Sequence, residues 1–471
     1  MNQVKARDSL ATQGHILSRL SFGATSSVLE QVNQTGIEAY IQSQLKPQSI
    51  RESSVLENYL AKLSSINREP TKLHASELAF REKLENSKLS TKQQEAIQQD
   101  IRKLNVRTIN EAADARLARG VYGNRQLQEV MVDFWMNHFN VHALKSGVKY
   151  WLHDYENQIR THSLGNFDDL LMATAKHPAM LMYLDNKNNT APESSWGKKS
   201  EQGLNENYAR ELMELHTLGV DGGYSQDDVI ALARIFTGWS IDRRGKKGDK
   251  TGFYFYNNRH DQQEKIFLGR QITANGIEEG EQALKILAHH PATARHISYE
   301  LGQYFVADQP PESLVNQLAK TFLESQGNIQ LVMDTLIHSQ EFNDPQYYGQ
   351  KFKTPYQYLI SLVRLGEIKE PSFKRLRGML FQLSMPLYRC VTPDGYGNTQ
   401  ATWLNPQAML QRTSLATAIA NGTLNKNSSV EVGKLKQNLG ELSPLTKQVI
   451  DESNLKLKTA LMMGSPEAMY R

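Results

Sequence analysis

Asn205-Glu-Asn-Tyr-Ala-Arg-Glu-Leu-Met-Glu-Leu-His-Thr-Leu-Gly-Val-Asp-Gly-Gly223 reads as one amphipathic helix and its exit turn. At ~3.6 residues per turn, Glu206, Arg210, Glu214 and Thr217 share one stripe, with Asn207, Glu211 and Leu218 beside it. Tyr208, Leu212 and Leu215 fill the opposite face, and Met213 and His216 sit at the margin. Gly219 reads as a C-cap and Asp221-Gly222-Gly223 as a tight turn. The same helical spacing recurs on both sides of this stretch, and strand-like alternation is scarce. The expectation is a mainly α protein, a large multi-helix, bundle-like domain with at most one small β-ribbon.

Working back towards the N-terminus, the spacing predicts helices over His15–Leu20, Val28–Gly36 (capped by Thr25 or Ser26) and Ile37–Leu45. Between Ser64 and Gly120 the chain turns long, charged and poor in aromatics, with a capping box at Ser90–Gln93, and reads as a helical hairpin with solvated polar faces. Arg125–Val141 follows, a helix sharing Leu127, Val130, Met131, Phe134 and His138 on one face, with Asp133 and Asn137 expected to pair at i,i+4. Residues 147–163 and 167–176 are amphipathic, and Pro178 restarts the chain after His177. Lys187–Gly203 is a long polar loop of the kind that walls sites.

Beyond the central stretch, Ser225–Asp228 caps a helix whose stripe is Val229, Leu232, Ala233, Phe236 and Trp239. Gly252–Tyr256 and Lys265–Gly269 read as the two extended segments of one ribbon. Helices resume at 281–288, 292–306, 312–325, 329–338, 353–366 and 406–420. Four regions are expected: N-terminal core helices (1–65), a charged hairpin insertion (66–120), the main core (121–420) and a helical tail packing on it (421–471).

The chain has 471 residues, 39% of them hydrophobic, and a net charge of +4 from 54 basic against 50 acidic residues. That balance carries no field for nucleic acid. The basic run Arg243–Lys247 lies among glycines and reads as a solvated loop rather than a phosphate patch. A single cysteine, Cys390, excludes an internal disulfide and a cysteine-rich metal centre. No apolar run reaches transmembrane or signal-peptide length, so the expected protein is soluble, without a transmembrane segment, and cytoplasmic.

Two chemistries suit the acidic helix. Glu206, Glu211 and Glu214 could join histidines from elsewhere to bind a divalent metal, with Glu214, His138, His260 and Asp261 as the expected ligands. Alternatively, flanking carboxylates hold Arg210 to grip an anionic substrate and leave one glutamate as acid or base. The catalytic set is then Glu206, Arg210, Glu211, Glu214 and His138. Beside these stand the bland readings: a Glu/Arg/Glu ladder on a solvated helix contributes only ~0.2–0.5 kcal/mol per pair, and a histidine among aromatics is commonly a core residue. No nucleophile elbow or phosphate-cradling glycine loop is present.

The motifs DFWMNHFNV, MLMYLDN, NENYARELMELHTLGVDGGYSQDDV, ARIFTGW, HPATARHI, TPDGY, TWLNP and the terminal SPE, in this order, resemble the bacterial family catalogued as domain of unknown function 1800. The resemblance implies a largely helical protein without an established activity. It also implies relatives that are often exported and often encoded beside a protein of another uncharacterised family, which becomes a candidate partner. Among its motif residues, Asn137, Asp185, Asn186, Asn205 and Asn207 are candidates for substrate binding, together with Tyr396 of the TPDGY turn. Metal-assisted hydrolysis or oxidation is the reaction class this reading puts first. A non-catalytic binding or assembly protein, its polar motifs buried in structural networks, is the competing one.

Overall fold

The computed structural model describes residues 10–85, 89–242, 245–425, 427 and 430–471. The chain is 61% helical, with 24 α-helices among the described residues and two small antiparallel ribbons. The mainly α expectation holds. Sequence capping signals act as read: Ser90 with Gln93 and Ser225 with Asp228 both close capping boxes, satisfying otherwise orphaned N–H groups. His177 and His290, each before a proline at the first helical position, cap their helices by accepting a backbone N–H on Nδ1.

At the centre lies the helix Pro355–Leu365, every residue of which is buried. A helix apolar nearly all round has to be enclosed by others. The long helix Thr91–Tyr122 packs on it, as do Phe373–Gln382 and the C-terminal turns. Arg364 ties this centre together, donating from Nε to the Gly23 carbonyl and from Nη1 to that of Val121, each at 2.8 Å. The second half of Thr91–Tyr122 therefore differs from the solvated hairpin face expected. Thr108 through Val121 contribute ten buried residues to the core, and Arg116 among them is paired with Asp133 at 2.8 Å.

The helix Gln126–His138 is the second organising element. Leu127, Val130, Met131 and Trp135 are wholly buried, and the Trp135 indole donates to the Ser163 carbonyl at 3.0 Å. Its polar positions do not pair with each other as expected. Asp133 faces Arg116 and the Tyr304 hydroxyl, whereas Asn137 faces the backbone of Tyr396. Since i,i+4 neighbours on a buried helix are separated by whatever packs between them, tertiary partners displaced the local one.

The ribbon expectation is corrected. Phe253–Phe255 pairs not with Lys265–Phe267 but with Trp239–Ile241, and Lys265–Phe267 pairs with Arg270–Ile272. Gly238 explains the first pairing. It ends the preceding helix at φ +83°, and a Cβ there would lie 2.6 Å from the Tyr256 carbonyl, so only glycine lets the chain turn into a strand. Trp239 thus belongs to a strand rather than to the helical stripe. Arg243 and Arg244 of the basic run lie outside the described residues. Among the described residues no helix is long and apolar enough to cross a membrane.

Candidate functional site

The acidic helix is shorter than its sequence stretch, running Asn207–Glu214, and Leu215–Gly219 leaves it in a turn. Its ladder forms on the surface. Arg210 meets Glu206 at 3.2 Å and Glu214 at 3.5 Å, all three side chains being more than a quarter exposed, and Gln226 bridges Glu206 and Arg210. Asn205 and Asn207 fasten the entry. The Asn205 N–H donates to Asn189, its side chain accepts from the Asn207 N–H, and Asn207 Nδ2 donates to the Leu184 carbonyl.

Asp185, in the left-handed region at φ 62°, pairs with Lys145 at 2.7 Å. Asn186 is buried and donates to the carbonyls of Phe236 and Trp239. His260 is sealed with Glu279, its Nε2 at 2.9 Å from the carboxylate, while Lys265 holds the other oxygen at 2.6 Å. Asp261 takes Arg234 at 2.7 Å. The structure therefore does not bring His260 and Asp261 to the acidic helix as ligands beside Glu214. Among the described residues, no group of three or more His, Cys, Asp or Glu is arranged to hold a metal ion.

What does converge is a cavity of about 160 Å³ at the end of Gln126–His138. His138, Asn137 and Tyr396 line it, with Glu300, Gln303 and Asp394. His138 is buried under Phe134, Trp135 and Phe139. Its Nδ1 lies 2.6 Å from Glu300 Oε2, and its Nε2 is 3.1 Å from the His216 carbonyl. Both neighbours are acceptors, so the ring satisfies them only when it carries two protons, or when Glu300 itself holds one. Burial pushes the Glu300 carboxyl up, but His138 outweighs it and holds the group below its ordinary range. The Glu300 side chain as a whole remains about one-third exposed and lines the cavity, while its histidine is sealed behind it.

No residue of the acidic helix lines this cavity; its exit turn meets the site from behind, through the His216 carbonyl on His138, and Glu211 lies within electrostatic range of Asp394 at the rim. Burial, then Glu214 and Asp394, raise the Glu211 carboxyl above its usual range. Two further histidines back His138, with ring centres 5.8 Å (His216) and 6.2 Å (His296) away. His216 is fully buried and its Nε2 has no hydrogen-bond partner; burial and the two neighbouring histidines depress it well below the ordinary value. His296 donates from Nε2 to the Leu215 carbonyl at 3.1 Å.

Tyr396 is fixed by reciprocal bonds. Asn137 Nδ2 donates to its carbonyl and its N–H donates to Asn137 Oδ1, each at 2.8 Å. Glu300 escaped the sequence reading although a signal existed. His296, Glu300 and Tyr304 recur at i, i+4 and i+8 on Pro291–Phe305, a polar stripe on a packed helix.

Comparison with known proteins gives one result at the family level: the model of a family described as "Protein of unknown function (DUF1800)" matches residues 15–470. No curated protein and no solved structure matches the chain.

Proposed function

The chain belongs to the DUF1800 family, and from that premise we propose that it is an enzyme whose reaction is assisted by proton transfer at the His138–Glu300 cavity, with hydrolysis as the class to test first. One observation carries this reading: a part-exposed glutamate side chain backed by a buried, doubly hydrogen-bonded histidine at the wall of a cavity. Glu300 is placed to take a proton from water or substrate, and His138 to hold the carboxylate ionised and oriented. Asp394, exposed at the rim and without an ion-pair partner among the described residues, adds negative charge. With Glu300 on the same wall, the cavity favours a small neutral or cationic polar substrate over an anionic one.

The competing reading, a non-catalytic binding or assembly protein, draws support from the saturation of the other motifs. Asn186, His260 and Asp261 are spent on internal partners. A panel of chromogenic ester, amide, glycoside and phosphate substrates separates the two, assayed with the wild type, Glu300→Gln and His138→Ala, with and without added divalent cations. Turnover that Glu300→Gln removes while the melting temperature holds supports the enzyme. Turnover untouched by both variants, or none on any substrate class with unaltered metal content across the variants, sinks this site.

A further inference from the structure

A second hollow, of about 300 Å³, shares no lining residue with the first. The long polar loop walls one side through Lys187, Asn188 and Gln202, and the Trp239–Ile241 strand and its extension supply Ser240 and Asp242. Arg259 lines it too and packs against two aromatic rings. Its Cζ lies 4.4 Å from the centre of Tyr256 and 5.3 Å from that of Trp196.

The charges here are unequal in their commitments. Asp242 is the hollow's carboxylate, and its Oδ2 already accepts the N–H groups of Lys247 and Gly248, so it serves the turn that follows. The Lys187 ammonium donates to Ser146 Oγ at 2.7 Å and contributes positive potential. Arg259, half-buried, has no carboxylate partner among the described residues; its guanidinium donates one long bond, 3.4 Å, to the Lys187 carbonyl. Burial lowers the Arg259 pKa, with only the Tyr256 phenol opposing it, so the guanidinium is partly desolvated without a carboxylate to neutralise it. A planar donor fork packed against two rings is restrained, and a restrained fork suits a bidentate grip on two oxygens of one group, as arginine makes to carboxylates and phosphates.

We propose that this hollow binds a small oxyanion, a carboxylate or phosphate group, through the Arg259 fork, independently of the His138–Glu300 cavity. Trp196 supplies the readout. It is 42% exposed, whereas Trp135, Trp151, Trp239 and Trp403 are all buried. Inorganic phosphate, pyrophosphate and malonate are titrated separately into the full chain, with sodium chloride at matched ionic strength as the control, while tryptophan emission and binding heat are followed. At least one oxyanion is expected to give a saturable emission change below ~10 mM, a weak but specific affinity. Phosphate or pyrophosphate saturating alone identifies a phosphate site, and malonate alone a carboxylate site.

Trp196→Phe is expected to lose the optical change and keep the heat. Arg259→Gln is expected to lose both, and Arg259→Lys, which keeps the charge without the fork, to bind about ten-fold more weakly or worse. Melting temperatures of the variants confirm that they fold, and Arg259→Lys carries the test should Arg259→Gln fail to. No saturable response to any of the three oxyanions, or full affinity in a folded Arg259 variant, overturns the proposal.

Discussion

His260 Nε2 lies 2.9 Å from Glu279 Oε1, and neither side chain has any exposure to solvent. The ring's other nitrogen faces the Thr237 carbonyl at 2.8 Å, and Lys265 donates to the second Glu279 oxygen. Glu279 also accepts the N–H groups of Asn275 and Gly276, so one carboxylate fastens a ribbon, a helix start and a loop.

Glu279→Ala is therefore expected to be severe. It leaves Lys265 with only the Asp261 oxygens and His260 with only the Thr237 side in a sealed interior, and removing one partner of a buried ion pair costs ~3–5 kcal/mol. Urea unfolding of the variant should show a midpoint shift of that order. His260 and Lys265 act chiefly to lower the Glu279 carboxyl below its ordinary value against the opposing effect of burial. A depressed carboxyl contributes stability above its unfolded pKa and loses it as pH falls through the folded one. The wild type should accordingly lose stability steeply at acid pH, and Glu279→Gln should flatten that limb. A loss below ~1 kcal/mol in Glu279→Ala would mean the network is not structural.

The opposite is expected of Glu206. Its pair with Arg210 lies at the surface, where i,i+4 ion pairs contribute ~0.3–0.5 kcal/mol and are screened by salt. Glu206→Ala should shift the thermal midpoint by no more than the measurement error at 0.15 M salt, and leave any turnover at the Glu300 cavity intact. A loss of turnover with normal stability would return the acidic ladder to the active centre.

The helices, their caps and the stretch lining the cavity were legible because they depend on local patterns. Ser225–Asp228 announces its helix start, and Phe134, Trp135 and His138 announce a packed face. Pairings set by distant residues were not legible. Nothing near His260 in the chain names Glu279 as its partner, and nothing near Asn137 names the Tyr396 backbone. On the acidic helix the local pattern was legible as well: Glu206, Arg210 and Glu214 pair with one another as a part-exposed ladder. The glutamate that lines the cavity, Glu300, belongs to the His296–Glu300–Tyr304 stripe, and its buried partner His138 lies on a helix 162 positions away in the chain. The ribbons were misassigned because three-residue strands pair wherever a turn permits, and Gly238 permits it earlier than alternation suggested.

Gly395 tests how the cavity rim is held. It adopts φ +73°, and a Cβ there would lie 2.4 Å from the Asn137 carbonyl oxygen and 2.7 Å from its side-chain oxygen. Gly395→Ala has to displace the turn that carries Asp394 and Tyr396, breaking the reciprocal bonds to Asn137. Strain at such a position costs ~1–3 kcal/mol. The expected outcome is a modest drop in melting temperature with a large change at the cavity, read as lost turnover or as altered protection of the Tyr396 amide from hydrogen exchange. An unchanged Tyr396 amide would show that the rim accommodates the methyl group.

Lys353 gives a prediction of opposite pH sign. It is buried beside Arg412 and Arg471, and its ammonium donates to the Ala468 carbonyl at 2.8 Å and to Ser361 Oγ at 3.2 Å, with no carboxylate in contact among the described residues. Burial first, then the two arginines, lower its pKa from 10.5 to about 7. Lys351, nearby, is lowered to about 8 by burial, against the pull of Asp308. Between those values and the ordinary one the unfolded chain binds more protons than the folded one, so stability rises with pH from about 7 towards 10. Each such group contributes at most ~1.4 kcal/mol per pH unit within its window. Lys353→Met removes one of the two contributions and fills the space with a side chain of similar length. Its stability, followed by urea unfolding from pH 7 to 9.5, should climb less steeply than that of the wild type while Lys351 still contributes. A variant whose slope matches the wild type would place the Lys353 proton on the folded protein throughout that range.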